Sequence, residues 1–172
     1  DNTETCYVDA DDDGYLIASP GTVISSDGDC ADVGEGTTAD PKTDCDDGDG
    51  GDYPGALETV GNSDDEDCDG AEACFHDDDD DGFVDTSADT IDSTDVDCTD
   101  DFEAADTVPT TDCDDANAEI RPTGTEIAGD EIDGNCDGAE TCFLDGDGDS
   151  WGTETTVESV DVSCTDAGEV SA

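Results

Sequence analysis

Positive charge is almost missing from this sequence. Lys42 and Arg121 stand alone against 55 acidic residues, for a formal net charge of −53. Salt bridges therefore cannot hold the chain together. Two carboxylates ~4 Å apart repel by about 4 kcal/mol at an effective dielectric near 20, and a compact fold packing dozens of them unaided would be driven open. The same lack excludes nucleic acid as a direct partner, because phosphate backbones are met with Lys and Arg. Three states fit such a balance: a disordered chain, an acidic surface suited to concentrated salt, or carboxylates that hold multivalent cations.

Large apolar groups are scarce too. The aromatics are one Trp, three Tyr and four Phe, and Ala and Cys inflate the 31% hydrophobic share. Burial alone cannot offset the ordering entropy of so long a chain on so thin a core. Scaffolds with weak cores are stapled by disulfides or metals. No apolar run is long enough to span a membrane, and no signal peptide is visible, so an exported chain has lost its leader or carries it outside this stretch. Histidine occurs once, at His76, and there is no Cys-x-x-Cys pair, which argues against zinc. No Asn-x-Ser/Thr acceptor occurs, so any glycans are expected on Ser or Thr.

What the sequence does hold is ten cysteines, an even number that points to an oxidising compartment and a disulfide framework. Cys6, Cys74 and Cys142 are 68 residues apart, as are Cys30 and Cys98, Cys45 and Cys113, and Cys68 and Cys136. Cys164 alone is off register, two residues early. The acidic clusters keep the same step, with Asp9, Asp77 and Asp145 opening equivalent loops. Self-similarity at a fixed period marks a repeat array. It also counts against disorder, because a floppy tail needs no phased cysteines.

Each repeat divides in two. The first half runs over 1–43, 69–111 and 137–172; the second over 44–68 and 112–136. If each half is closed on itself, the bridges are Cys6–Cys30, Cys45–Cys68, Cys74–Cys98, Cys113–Cys136 and Cys142–Cys164. If successive halves are linked instead, Cys30–Cys45 and Cys68–Cys74 form, and Cys6 and Cys164 are stranded. Parity favours the first scheme. The fold class expected is mostly irregular, with short β-hairpins, in an extended array of small disulfide-stapled, calcium-organised modules. The runs Cys6-Tyr7-Val8 and Tyr15-Leu16-Ile17 read as the two arms of a hairpin joined by the first Asp loop, with its flanking aromatics packed together. Ala116–Glu119 reads as one helical turn.

The Asp loops carry the chemistry. In the first, Asp9, Asp11 and Asp13 alternate before Gly14; Asp77, Asp79 and Asp81 repeat this before Gly82, and Asp145, Asp147 and Asp149 before Ser150. Alternating carboxylates followed by a sharp turn can wrap calcium, which takes six to eight oxygens in irregular geometry. These are not EF-hands: the twelfth loop position is Pro20, Ala88 or Thr156, never Glu. The missing ligands are expected from Asp27 and Asp29, Asp95 and Asp97, and Asp161, which a first-half disulfide would bring close. The second half offers Asp44, Asp46, Asp47 and Asp49, then Glu58, then Asp65, Asp67 and Asp69. Its second copy has Asp112, Asp114, Asp115 and Asn117, then Glu126, then Asp133, Asn135 and Asp137. Closing Cys45–Cys68 is expected to join the acidic opening and ending in one or two further cages.

The second half, with Asp-Cys-Asp-Asp, Pro54 followed by Glu58, and Asp-x-Asp-Cys-Asp-Gly, resembles the MopE-type metal-binding repeat of secreted microbial proteins. The first half resembles the segment that joins such repeats, and its loops are similar to thrombospondin type 3 repeats, though the cysteine spacing differs. The resemblance implies a secreted, metal-binding array. Its name implies copper, but copper prefers nitrogen or sulfur donors and only His76 could supply one, so calcium, several ions per chain, is the cofactor expected.

No Ser-His-Asp set or cofactor loop is present, and nothing is bulky enough to enclose a cleft. The sequence reads as a non-enzyme. The function expected is an extracellular or cell-surface stalk, surface-layer or filament component stiffened by calcium; the alternative is a calcium-dependent adhesin for glycans or surfaces. The lone final half suggests head-to-tail self-association or continuation of a longer array.

Overall fold

The computed structural model describes residues 3–86 and 89–172. Asp1 and Asn2, which open the first half by register, and Ala88 at the would-be twelfth loop position lie outside them. Among the described residues there is no helix, and none is long and apolar enough to cross a membrane. So little regular structure is what Gly and Asp at this density impose: each supplies a turn conformation or a side-chain bond that competes with ladders.

The chain forms two compact units. One is Asp1–Cys74 with Thr90–Asp100, the other Phe75–Asp89 with Asp101–Ala172. In the first unit β1 (Glu4–Val8) pairs antiparallel with β2 (Thr22–Ser25) and β3 (Glu35–Gly36), in the order β2-β1-β3. The second first-half copy places β4 (Ala73–His76), β5 (Thr90–Asp92) and β6 (Glu103–Ala104) in the order β5-β4-β6. The third gives β7 (Thr141–Leu144), β8 (Thr156–Glu158) and β9 (Glu169–Val170), ordered β8-β7-β9.

The five disulfides are Cys6–Cys30, Cys45–Cys68, Cys74–Cys98, Cys113–Cys136 and Cys142–Cys164, so every half is closed on itself. In the first-half copies the cystine is the core: Cys6, Cys74 and Cys142 sit buried within strands, and Cys98 and Cys164 across the bridge are buried outside them. Leu16 and Val84, both 0% exposed, add the main aliphatic contribution. A methyl on Gly36 would lie 2.7 Å from Leu16 Cδ2, so β3 can approach that side chain only as glycine.

Two sequence expectations are corrected. The arm that pairs with β1 is Thr22–Ser25, not Tyr15–Ile17. The Tyr15–Ile17 run instead turns toward the next half, where Ile17 forms a parallel bridge with Asp44. Its aromatics part company accordingly: Lys42 covers the Tyr7 ring at 3.9 Å, Tyr15 stacks on Tyr53 with centroids 5.7 Å apart, and Trp151 is 80% exposed. Ala116–Glu119 is not a helical turn but part of two successive turns, closed by Asn117 N–H to Asp114 C=O and Ile120 N–H to Asn117 C=O. Asn117 and Asp114 supply local bonds that compete with helix continuation.

Candidate metal centres

Each Asp loop is built by its own carboxylates. In the first, Asp9 Oδ1 accepts the Asp12 N–H at 2.9 Å, Asp11 Oδ1 the Asp13 N–H at 3.3 Å, and Asp13 Oδ1 the Tyr15 N–H at 2.7 Å. The turn needs left-handed backbone twice, at Asp12 (φ 62°) and Gly14 (φ 87°). The second loop uses Asp80 and Gly82 in the same way; the third exchanges the types, with Gly148 first and Ser150 (φ 66°) second. In the first loop Asp11 and Asp13 each spend one oxygen on the loop and leave the other for something else, whereas Asp77 and Asp145 spend both of theirs on backbone N–H groups.

That remainder is buried. Asp11 Oδ2 and Asp13 Oδ2 are enclosed without a hydrogen-bond partner, and ligand oxygens of Asp9, Asp11 and Asp13 lie within 4.8 Å of one another. The fold adds a fourth acid from the neighbouring half. Leu16 N–H donates to Pro41 C=O at 2.8 Å and Asp44 N–H to Leu16 C=O at 3.1 Å, which lays the Asp-Cys-Asp-Asp segment along the loop. Asp44 is 7% exposed; its Oδ1 accepts the Asp46 N–H and its Oδ2 is a further buried orphan. Asp47 closes the arrangement by accepting the Ala10 N–H at 3.1 Å.

The second loop repeats the construction in the other unit. Val84 N–H donates to Pro109 C=O and Asp112 N–H to Val84 C=O, each at 3.1 Å. Asp112 is 5% exposed, and the orphaned oxygens are Asp79 Oδ1 and Oδ2, Asp81 Oδ2, Asp112 Oδ2 and Asp115 Oδ1. The repeat is not perfect: the Arg121 guanidinium lies 3.7 Å from Asp81 Oδ2.

The titration of these groups records the crowding. Burial, then neighbouring carboxylates including Asp13 and Asp44, push Asp11 up to about 6 despite the Asp13 N–H. Asp79 and Asp115 rise to about 6 for the same reasons, burial first and the surrounding acids after it. Asp9, Asp44 and Asp81 are also raised, chiefly by burial. A carboxylate that must be deprotonated to bind metal, yet is penalised for its charge without one, is the signature of a site built around a cation. The third loop differs. Asp147 and Asp149 are exposed, and Asp145 is held below its ordinary value: slight desolvation is outweighed by backbone N–H groups, Gly148 and Ser150 first among them.

The closing segments of the second halves form separate gatherings. Asp69 N–H and Gly70 N–H donate to the two oxygens of Asp65, as Asp137 N–H and Gly138 N–H do to Asp133. Glu58 accepts the Asp67 N–H and Glu126 the Asn135 N–H, each at 2.9 Å. Ligand oxygens of Glu58, Asp65 and Asp67 come within 4.8 Å of one another. Asp69 and Asp137 turn to the N–H groups of Ala71 and Ala139. Asp46 and Asp49 cap Gly48 and Gly51, Asp114 sits exposed on the surface, and Asn117 accepts from Glu119 N–H. The opening and the ending are joined by the disulfide, Cys45 Sγ lies 3.3 Å from Asp65 C=O, and Asp52, raised by burial, feels Asp49 and Asp46 on one side and Glu66 and Asp64 on the other.

The acids before the second cysteine of each first half make local hydrogen bonds. Asp27 accepts the Ser25 hydroxyl and the Asp29 N–H, and Asp29 accepts the Ala31 N–H. Asp95 and Asp97 repeat this at Ser93 and Thr99, and Asp161 at Ser163. The parallel bridge carries a further acid to each of the first two loops, Asp44 and Asp112. Glu66, Glu72 and Glu140, all buried, have no place in a pattern of alternating Asp. For Glu72 and Glu140 the signal is the period itself, since with Glu4 they keep the 68-residue step; Glu66 has Gly134 at the equivalent position.

The donor set is oxygen throughout. Asp44 and Asp112 also lie beside the sulfurs of Cys45–Cys68 and Cys113–Cys136, but disulfide sulfur offers no thiolate and no cysteine is free. Buried carboxylate oxygens without a hydrogen-bond partner fit a hard metal ion. Residues 44–73 and 112–140 match the family model of copper-binding MopE, described as "Putative metal-binding motif". No curated protein and no solved structure matches the chain.

Proposed function

We propose that this chain, which carries two copies of the MopE-type metal-binding motif, is an extracellular calcium-binding repeat protein whose ions hold its fold and whose work is structural. The observation that carries the reading is the convergence of Asp11, Asp13 and Asp44, each with one oxygen spent on the backbone and one buried without a hydrogen bond; in the second copy Asp112 repeats this, Asp79 has both oxygens buried without a hydrogen bond, and Asp81 Oδ2 faces Arg121 at 3.7 Å. Calcium takes a flexible shell of six to eight oxygens at such a site, water completing what the protein leaves open. Copper and zinc would want imidazole or thiolate; no cysteine is free, and the single histidine, His76, lies between Asp78 and Asp89.

The chain's own part is to gather carboxylates that repel one another. The Asx turns preshape each loop, the bridge through Leu16 or Val84 delivers the fourth acid, and the disulfides limit how far the halves spread. Ligation that exists only in the folded state contributes its free energy to folding. Five disulfides support an oxidising, non-cytosolic location. Extracellular modules work with dissociation constants of ~10⁻⁴–10⁻³ M, so millimolar calcium would keep the units loaded and stiff, as a stalk or surface layer requires.

Equilibrium dialysis of metal-stripped protein against calcium, copper and zinc, with elemental analysis, tests this. The expected result is saturable uptake of several calcium ions at or below millimolar levels. Stoichiometric uptake of copper or zinc with no calcium bound would overturn it.

A further inference from the structure

The Asp loops leave one buried acid without a role. Glu72 is 1% exposed and lies between the Cys-Asp-Gly that closes the first motif and strand β4. Its backbone is pinned: the Ser93 N–H donates to Glu72 C=O at 2.8 Å, and the Gly61 N–H to the next carbonyl, Ala73 C=O, at 2.8 Å. Glu72 Oε1 shares that Gly61 N–H at 3.0 Å, while Oε2 is buried with no partner.

Two other glutamates face it. Glu66 is also buried; its oxygens accept the Thr59 N–H at 3.1 Å and the Asn62 side-chain amide at 2.7 Å. Glu58 gives Oε1 to the Asp67 N–H and leaves Oε2 buried and unpartnered. One oxygen from each of Glu58, Glu66 and Glu72 lies within 4.8 Å of the other two. Both basic side chains of the protein are committed elsewhere, Lys42 over Tyr7 and Arg121 beside Asp81. Three carboxylates turned inward with two orphaned oxygens require a positive partner, since a buried unpaired charge is among the most costly things a fold can hold.

We propose that Glu58, Glu66 and Glu72 form a second kind of divalent-cation site, separate from the Asp loops, that ties the end of the metal-binding motif to the strand opening the next half. An Asp loop draws most of its ligands from one short turn. This site draws its ligands from three separate stretches of chain, which is why it uses the longer glutamate side chain, and its ion cross-links backbone that the disulfides leave unlinked. In the other unit the cradle recurs with one wall missing. Gly129 N–H donates to Glu140 Oε1 at 3.0 Å, and Glu140 Oε2 and Glu126 Oε2 are orphaned, but Gly134 stands where Glu66 would be. The second copy is the weaker of the two.

The inference rests on the calcium reading for the class of ion, and its test separates the two. The full-length, disulfide-intact protein is stripped of metal, reloaded with calcium, and its bound ions are counted by native mass spectrometry for wild type, E72Q, E66Q and D11N. E72Q and E66Q are each expected to carry one ion fewer than wild type while keeping the ion that D11N loses; combining D11N with E72Q removes both. Near-ultraviolet circular dichroism identifies a variant that fails to fold, in which case the other glutamine variant decides. If the folded glutamine variants bind as many ions as wild type while D11N binds fewer, the cluster holds shared protons rather than a cation and this site does not exist. If wild type itself binds none, the calcium reading falls with it.

Discussion

Asp44 donates its backbone N–H to the carbonyl of Leu16 at 3.1 Å, and that single bond carries the second half of the repeat to the loop of the first. Leu16 is fully buried and its own N–H is held by Pro41 C=O, so the carboxylate of Asp44 arrives in a fixed place with one oxygen unspent. The metal centre is therefore composite. Neither half holds it alone.

Removing that carboxylate is the sharpest local test. D44N keeps the shape and the Asp46 N–H contact but deletes the charge. The first-loop calcium affinity is expected to fall by at least the ~10–100-fold that loss of a mere supporting partner costs at a metal site. D29N, which alters an acid bonded only to a neighbouring N–H at Ala31 in the described contacts, should leave it within a few-fold of wild type. Calcium isotherms on both variants check this.

The second loop already contains a competitor. Arg121 lies 3.7 Å from Asp81 Oδ2, but its side chain is more than a third exposed, so the contact is screened and worth at most ~1 kcal/mol. In the first unit the equivalent position is Tyr53, stacked on Tyr15. R121Y should accordingly tighten calcium at the second loop by ~2–5-fold, seen as a leftward shift of one step in the binding isotherm.

Metal-stripped protein should be more stable in acid than at neutral pH. Asp11, Asp79 and Asp115 sit near 6 and Glu72 near 7, against ordinary values of 3.8 and 4.5. Each raised carboxyl favours the folded state when protonated, so its contribution is complete below about 4 and is lost as pH climbs through 6 to 7. Calcium reverses the slope, because it needs the same groups deprotonated. Melting temperatures at pH 5 and pH 7.5, with and without calcium, should therefore move in opposite directions.

Much of this was legible in the chain itself. The 68-residue step in Cys, Asp and Gly placed the halves and the Asp loops, because each of those residue types answers a local demand: a bridge, a ligand, a left-handed turn. What was not legible was which loop each second-half acid would serve. That depends on Ile17 and Asp85 bridging in parallel to Asp44 and Asp112, more than twenty residues on, a contact with no local periodicity to announce it. Glu72 and Glu140 kept the period but not the Asp alternation, so their burial became visible only once β4 and β7 were in place.

Disulfides and ions should be separable contributors. Cys45–Cys68 closes 23 residues, and replacing both cysteines by serine should cost ~3 kcal/mol by chain entropy. In saturating calcium the variant is expected to fold, since the loops' ligands do not include sulfur. Loss of all calcium binding in the double variant would show that the bridge, rather than the carboxylates, organises the motif.

The most direct test is circular dichroism and thermal melting of the disulfide-intact chain at low salt, first exhaustively chelated and then titrated with calcium. Cations replacing an apolar core predict that chelation loosens the near-ultraviolet signal and lowers the melting point, and that calcium restores both in step with its uptake. Chelated protein with unchanged spectrum and unchanged melting would contradict the account.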